Sequence, residues 1–416
     1  MSPANQSALR INCNRLWQRH REMAEIGAID GGGSCRLAMT LEDAAARDLL
    51  RGWCEQAGLN VTVDLAGNMV ARRAGSDADR PSVASGSHLD TQPHGGRFDG
   101  VSGVLCALEV AETLNDAGMT TRAPIAVVNW TNEEGVRYAP GLMGSSWFVG
   151  RLSDSDLLDA VSRDGAVFGV EAETRGYLGQ ARPGDFDIGA FYELHIEQGP
   201  VLEQEKRQIG VVESVQGLRW LDVAVTGMDA HAGTTPMDRR ADTIQAAAHM
   251  LVAINALGRE LAPDARVSVG SFKPSTDAPS TIAGHTDFII DIRHPDPDVL
   301  DRLTASCRTL CLEQARAQGC DAEIRQRVAI EPRRFDSACV DHVEQAARML
   351  GYPARRMASG ALHDASNIAA IAPTAMIFIP CKDGISHNVR ESVSLEDLTA
   401  GGNVLLHAML RSAGIV

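Results

Sequence analysis

The residues with the most chemical content fall in five short segments, each a strand-like run that ends in His, Asp or Glu. They are SGSHLDT (85–91), GGRFDG (95–100), NWTNEEG (129–135), ELHIEQG (193–199) and GISHN (384–388). Side chains at strand ends of an α/β sheet face one crevice, so residues distant in sequence can converge there. Imidazoles and carboxylates without thiolates suit Zn²⁺, Mn²⁺, Co²⁺ or Ni²⁺. His88 precedes Asp90 by two residues, and a nearby carboxylate can fix the tautomer of a ligating imidazole. By itself, a histidine is more often a hydrogen-bonded core or surface residue. Asp99 by itself reads as a turn aspartate, although its flanking glycines let the backbone approach as closely as a carboxylate shared by two cations requires. Glu133-Glu134 is the most informative pair. Adjacent acids after the apolar run Ile125–Trp130 repel each other, and an exposed loop is the ordinary explanation. In a two-metal hydrolase, one carboxylate coordinates a cation while its unligated neighbour takes a proton from water. His195 and His387 complete the two sets. Each residue has a bland reading; the conjunction of all five segments points to a hydrolase with Glu133 as the group that activates water.

Elements able to position these residues are visible in the patterning. Leu41–Ala57 reads as a helix from Thr40 as N-cap to Gly58 as stop. Strands are expected near Val61–Asp64 and Ser82–Gly86, a helix over Gly103–Asn115, and strands over Ile125–Trp130 and Tyr192–Ile196. Such alternation predicts an α/β layer architecture with a largely parallel sheet. After about Val212 the texture changes. Strand Gly217–Thr226, helix Asp242–Leu261, strands Arg266–Phe272 and Asp287–Arg293, helix Pro297–Gln318 and strand Ala322–Val328 follow the β-α-β-β-α-β order of a ferredoxin-like domain. Helix Asp336–Gly351, strand Thr374–Ile379 and helix Leu395–Ser412 then resume the first pattern. The expectation is a discontinuous α/β catalytic domain, residues 1–211 and 329–416, interrupted by an inserted lid over residues 212–328.

Composition narrows the function classes. The chain has 416 residues, 44% of them hydrophobic and only 4% aromatic, so aliphatic side chains must fill its cores. Formal net charge is −15, and Lys206, Lys273 and Lys382 are the only lysines. That balance is badly suited to phosphate backbones or anionic membranes. No apolar run of spanning length occurs, and the N-terminal stretch MSPANQSALRINCNRLWQRH has no signal-type apolar core; a cytoplasmic location is the expectation. The nine cysteines lack CxxC pairs, and Cys307 and Cys311 sit one helical turn apart, which reads as reduced structural thiols.

The sequence resembles the hydantoinase/carbamoylase branch of the M20-type metallopeptidases, which includes N-carbamoyl-L-amino acid amidohydrolases, β-ureidopropionases and allantoate amidohydrolases. The matching segments are SHLDT, GRFDG, TNEEG with Arg137, HIEQG, AHAGTTPMDRRAD (230–242), DIR (291–293), SGALHDA (359–365) and GISHN, in the family's order from about residue 85 to 390. The resemblance implies a zinc-peptidase-like catalytic domain with a ferredoxin-like lid that also forms a homodimer. It implies two divalent cations per subunit, zinc first, with manganese, cobalt or nickel as alternatives. Asp99 would bridge them, His88 and His195 would complete one site, and Glu134 and His387 the other. Glu133 would act as general base and then general acid, with Asp90 supporting His88. Arg293 would bind the substrate carboxylate, Gln198 and Arg219 would add polar contacts, and His231 would stabilise the developing oxyanion, across the dimer interface. An ion pair of Arg293 with Asp291 or Asp296 is the plainer alternative. His363-Asp364 has either a supporting or a structural role.

One position departs from the family pattern. An Asn-x-Ile-Pro-Gly segment is usual shortly before DIR, and here the stretch is Ser280-Thr281-Ile282-Ala283-Gly284. Ser280 thus stands where a substrate-binding Asn is expected, and a shorter side chain alters discrimination among substrates. The expected reaction is hydrolysis of a linear amide or ureido bond in a small carboxylate, first an N-carbamoyl-L-amino acid. Allantoate or ureidoglycolate, and N-acyl amino acids or dipeptides, are the alternatives. A catalytically dead binding protein ranks below them, since it would have lost ligands or the base.

Overall fold

The computed structural model describes residues 8–416; residues 1–7, the start of the stretch without a signal-type core, lie outside the described residues. The chain divides into two units, Met1–Glu213 with Phe335–Val416, and Ser214–Arg334.

With the longer elements numbered in chain order, the first unit contains α1 (Cys13–Glu25), α2 (Leu41–Gln56), β1 (Asn60–Val63), β2 (Met69–Arg73), β3 (Ser82–His88), α3 (Val101–Asp116), β4 (Ile125–Trp130), β5 (Ile188–Ile196) and β6 (Ile209–Val215). Its strands lie in the order β6-β12-β5-β3-β4-β2-β1, where β12 is Thr374–Ile379 from the returning chain. The four central strands, β12, β5, β3 and β4, are mutually parallel, and the flanking pairs are antiparallel. Every residue of β3, β4 and β12 is buried, as a parallel strand covered by helices on both faces requires. Helix α2 begins as its sequence demands. Thr40 Oγ1 accepts the Asp43 N–H, and Glu42 and Asp43 place negative charge in the first turn.

Helix α3 is what seats the site. It is buried along most of its length and packs on β3 and β4. A Cβ at Gly103 would fall 2.5 Å from the Leu194 carbonyl, so only glycine lets the helix start press onto β5. Helix α1 braces this arrangement: Arg15 bonds Glu109 on α3 at 2.7 Å, while the Trp17 and His20 rings lie against Phe98, next to Asp99.

The second unit contains β7 (Gly217–Thr226), α4 (Thr243–Glu260), β8 (Arg266–Pro274), β9 (His285–His294), α5 (Pro297–Ala317) and β10 (Asp321–Ile330). Its antiparallel sheet has the order β8-β9-β7-β10. Burial alternates along β9, so one face carries Phe288, Ile290 and Ile292 into a core shared with Met250 and Ile254 of α4 and Leu303, Cys307 and Cys311 of α5. All nine cysteines are free. The chain returns through α6 (Ser337–Leu350), β11 (Ala354–Ser359), β12 and α7 (Leu395–Ala413), with β11 paired to β6.

Candidate active site

Three neighbouring parallel strands deliver the chemistry at their carboxyl ends. His88 is the last residue of β3, His195 the penultimate residue of β5, and Glu133 and Glu134 follow the end of β4. Asp99 sits just before α3, and His387 lies in the loop after β12. The result is two triads that share one residue: His88, Asp99 and His195 on one side, Asp99, Glu134 and His387 on the other. The shared carboxylate divides its oxygens between them. Asp99 Oδ1 lies 3.0 Å from His195 Nε2 and 3.7 Å from His88 Nε2, whereas Oδ2 lies 3.3 Å from His387 Nε2. Glu134 Oε2 is 3.5 Å from His387 Nε2, and Glu133 Oε2 is 3.5 Å from His88 Nε2, outside both triads.

The imidazoles are prepared for this geometry. His88 Nδ1 donates to the Asp90 carbonyl at 2.8 Å and His195 Nδ1 to the Ile196 carbonyl at 2.9 Å, which leaves Nε2 of each ring as the atom that faces Asp99. The support of His88 by Asp90 therefore runs through the peptide carbonyl rather than the expected carboxylate. The Asp90 carboxylate instead holds the backbone after β4, its two oxygens accepting the N–H groups of Glu133 and Glu134, both at 3.2 Å. Gln92, which carries no sequence signal of its own, donates to Glu134 Oε2 at 2.7 Å.

The electrostatics fit a cation pair. Burial, then the neighbouring acids Asp364, Glu134, Asp90 and Asp99, raises Glu133 well above the usual carboxylate range. Burial and Asp99 push Glu134 up to about 8, and burial with Asp43 pushes Asp90 up to about 7. Burial lowers His88 to about 4, the neutral form that ligates. So many carboxylates in so little water call for positive charge, and the nitrogen and oxygen donors suit zinc or its first-row neighbours.

The glycines around Asp99 make room for neighbouring side chains rather than for the carboxylate itself. At Gly100, with φ +66°, a Cβ would fall 2.4–2.5 Å from three atoms of the His88 ring. Gly100→Ala is therefore expected to push His88 off its position and weaken cation binding by about tenfold or more. Calorimetric zinc titration of the stripped protein checks this, and an unchanged isotherm would show that the ring has room to move.

Gln198, at φ +56°, donates through Nε2 to Asp99 Oδ2 at 2.9 Å, so its amide is at the shared carboxylate. In the second unit, His231 Nδ1 accepts the N–H groups of Gly233 and Thr234 at 3.1 and 3.2 Å, which puts its proton on Nε2. Ser280 lies beside it: its carbonyl accepts the Ala232 N–H at 2.8 Å, and His231 pairs with Thr281. Arg293 forks onto Asp291 at 2.9 and 3.0 Å, the plainer alternative raised from sequence. Arg219 is buried and bonded to the Ile330 carbonyl, Glu331 and Asp301 at 2.7–3.1 Å, partners within its own unit. The His363 ring lies 4.4 Å from that of His195, with Nε2 3.0 Å from Ser359 Oγ. Beneath the site, Glu193 accepts from Ser87 Oγ at 2.6 Å and the Ala365 N–H at 2.8 Å. Sequence reasoning misses Glu193, Gln92, Ser386 and Glu391, because each acts through a loop or cross-strand contact that leaves no periodic trace.

A parallel sheet that ends in two donor triads around one carboxylate, with a glutamate alongside but outside both, defines a metal-dependent hydrolase. The chain belongs to peptidase family M20/M25/M40, whose model matches residues 84–411. It is 42% identical over 98% of both chains to an N-carbamoyl-L-amino-acid amidohydrolase of Rhizobium meliloti. It is 30% identical to an allantoate amidohydrolase of Bacillus subtilis, over 94% of this chain and 95% of that one. Among solved structures, a hydantoinase/carbamoylase family amidase from Burkholderia multivorans aligns with a TM-score of 0.94 at 46% identity, covering 98% of this chain and 99% of that chain.

Proposed function

We propose that the protein hydrolyses N-carbamoyl-L-amino acids to the free amino acid, ammonia and carbon dioxide. The observation that carries the reading is the divided carboxylate of Asp99 with Glu133 beside it, outside both triads. His88, Asp99 and His195 would hold one cation, and Asp99, Glu134 and His387 a second, with zinc as the expected metal. When bound, such a pair would supply Lewis acidity toward the ureido carbonyl and a lowered pKa for water. Glu133 removes a proton from the attacking water and returns it to the departing nitrogen. Asp90 accepts the Glu133 N–H and so fixes the backbone from which that carboxylate extends. His231 Nε2–H is a donor suited to the oxyanion that forms as the carbonyl is attacked. Arg293 keeps a third of its side chain exposed, so its planar fork can exchange Asp291 for a substrate carboxylate. Ser280, beside His231, shortens the polar contact expected at that position.

The unit Ser214–Arg334 is proposed as a ferredoxin-like lid that also forms a homodimer; its β-α-β-β-α-β order and antiparallel sheet support the ferredoxin-like part of this reading. A cytoplasmic location fits nine free thiols, and among the described residues no helix is long and apolar enough to cross a membrane.

The test is a substrate panel of N-carbamoyl-L-amino acids, N-carbamoyl-β-alanine, allantoate, ureidoglycolate, N-acyl amino acids and dipeptides. Zinc-loaded protein should release ammonia from the carbamoyl amino acids, and chelation should abolish that release. Turnover confined to allantoate or ureidoglycolate would move the assignment to the second reading, which the Bacillus subtilis relative favours. Turnover confined to acyl compounds or dipeptides would sink the carbamoyl reading.

A further inference from the structure

One buried acid at the site takes part in none of these steps. Glu391, in the loop that carries His387, is 2% exposed. Its Oε1 accepts the backbone N–H groups of Phe98 and Asp99 at 2.9 and 3.1 Å. Its Oε2 lies 3.2 Å from Ser386 Oγ, whose single hydroxyl proton it shares with Asp99 Oδ2 at 2.9 Å. Gln198 Nε2 closes the ring, reaching Ser386 Oγ at 3.1 Å and Asp99 Oδ2 at 2.9 Å. The loop at 95–100 is shaped to receive this carboxylate: a Cβ at Gly96 would fall 2.0 Å from both Cδ and Oε1 of Glu391.

Burying a carboxylate beside Asp99 is costly, and an apolar residue would fill the space without that cost. What the carboxylate adds is acceptor capacity on two sides, toward the Asp99 backbone and toward the Ser386 hydroxyl. Those are the two things that decide how the Asp99 oxygens are divided. His387 itself has φ +53°, a sparsely populated backbone conformation for a non-glycine residue, which persists only where its surroundings hold it. Glu391 ties that bent loop directly to the segment bearing Asp99.

We propose that Glu391 is the positioning residue of the cation site: by clamping the Phe98–Asp99 backbone and, through Ser386, Asp99 Oδ2, it keeps one carboxylate facing both triads. This rests on the two-cation reading of the site. Wild type, Glu391→Ala, Glu391→Gln, Ser386→Ala and Gly96→Ala would be stripped of metal and titrated with cobalt(II). Calorimetry and the visible ligand-field bands would be read alongside thermal melts of the metal-free proteins. Glu391→Ala should bind cobalt about 10- to 100-fold more weakly, as loss of a partner behind the ligands does, with altered bands. Gly96→Ala should reproduce that effect by evicting the carboxylate. Glu391→Gln, which retains one acceptor oxygen for the two N–H groups, should recover part of the affinity. A Glu391→Ala protein that melts earlier but binds cobalt with the wild-type isotherm and spectrum would overturn the proposal. If that variant does not fold, wild-type isotherms in both Glu391→Gln and Ser386→Ala would overturn it equally, and weakened ones would support it. A wild-type protein that takes up no cobalt is a different failure: it removes the two-cation reading, and the proposal with it.

Discussion

Replacing Glu133 by glutamine should lower kcat by about 10²–10⁴-fold, the range a general acid–base contributes, while the protein keeps its full complement of metal. The two halves of this expectation come from different observations. Metal retention follows because neither triad includes Glu133. The rate loss follows because glutamine keeps the size and backbone contacts of the side chain but can no longer take a proton. In activation free energy the loss is about 3–5 kcal/mol. The Asp90 carboxylate should still hold the N–H of residue 133 in the variant, since that bond uses only the backbone. KM should therefore change far less than kcat. Steady-state kinetics on the best substrate of the panel, with metal content measured on the same samples, checks both halves. Activity above a tenth of wild type would remove Glu133 from proton transfer. Lost metal with lost activity would make it a ligand.

The environment of Glu133 explains why this acid, and not its neighbour, is suited to proton transfer. Both follow β4, both are held by Asp90, and burial raises both. Glu134 is drawn toward His387 and receives a hydrogen bond from Gln92, so its lone pairs are aimed and partly used. Glu133 faces His88 at 3.5 Å among four other acids, with Asp364 foremost. A carboxylate raised in this way holds a proton more readily than an exposed one, as is needed for a group that must take a proton from water and later give it up.

What is legible in the sequence follows from how local each signal is. The run Ile125–Trp130 reads as a buried strand with the observed ends, because β-branched residues in series have few other fates. Thr40 and Gly58 bound α2 because caps are short-range chemistry. Helix α1 escapes the sequence reading: it is polar on average, and it is held by Arg15 reaching Glu109 on a distant helix. Strand β2 escapes it as well, its partners β1 and β4 being supplied by the fold. At the site, His88, Asp99, Glu133, Glu134, His195 and His387 stand out because each closes a strand-like run or occupies a Gly-flanked turn. The support beneath them is nonlocal. Glu391 meets Phe98 across nearly 300 positions of sequence, and the spacing of neither segment announces the other. Gly96 and Gly100 read as turn glycines; only the folded structure shows the carboxylate and the imidazole that fill the spaces they leave.

Asp99→Ala should cost the protein both cations, whereas His387→Ala should cost one. The asymmetry is the sharpest consequence of the divided carboxylate. His387 stands in one triad, so its loss leaves His88, Asp99 and His195 intact. Asp99 stands in both, and its removal leaves a pair of imidazoles on one side and Glu134 with His387 on the other. The affinity lost at each site should exceed the about 10–100-fold that a partner behind the ligands is worth. Metal analysis after dialysis against a weak chelator should give two cations for wild type, about one for His387→Ala and none for Asp99→Ala, with activity of the last below detection. Melting curves of the metal-free proteins separate this from unfolding. Asp99 accepts hydrogen bonds from Gln198 and Ser386 and pairs with His195, so metal-free Asp99→Ala should melt somewhat earlier than wild type but still in one cooperative transition. One cation retained by Asp99→Ala would mean that its carboxylate serves a single site, and the pairing of the two triads through Asp99 would have to be abandoned.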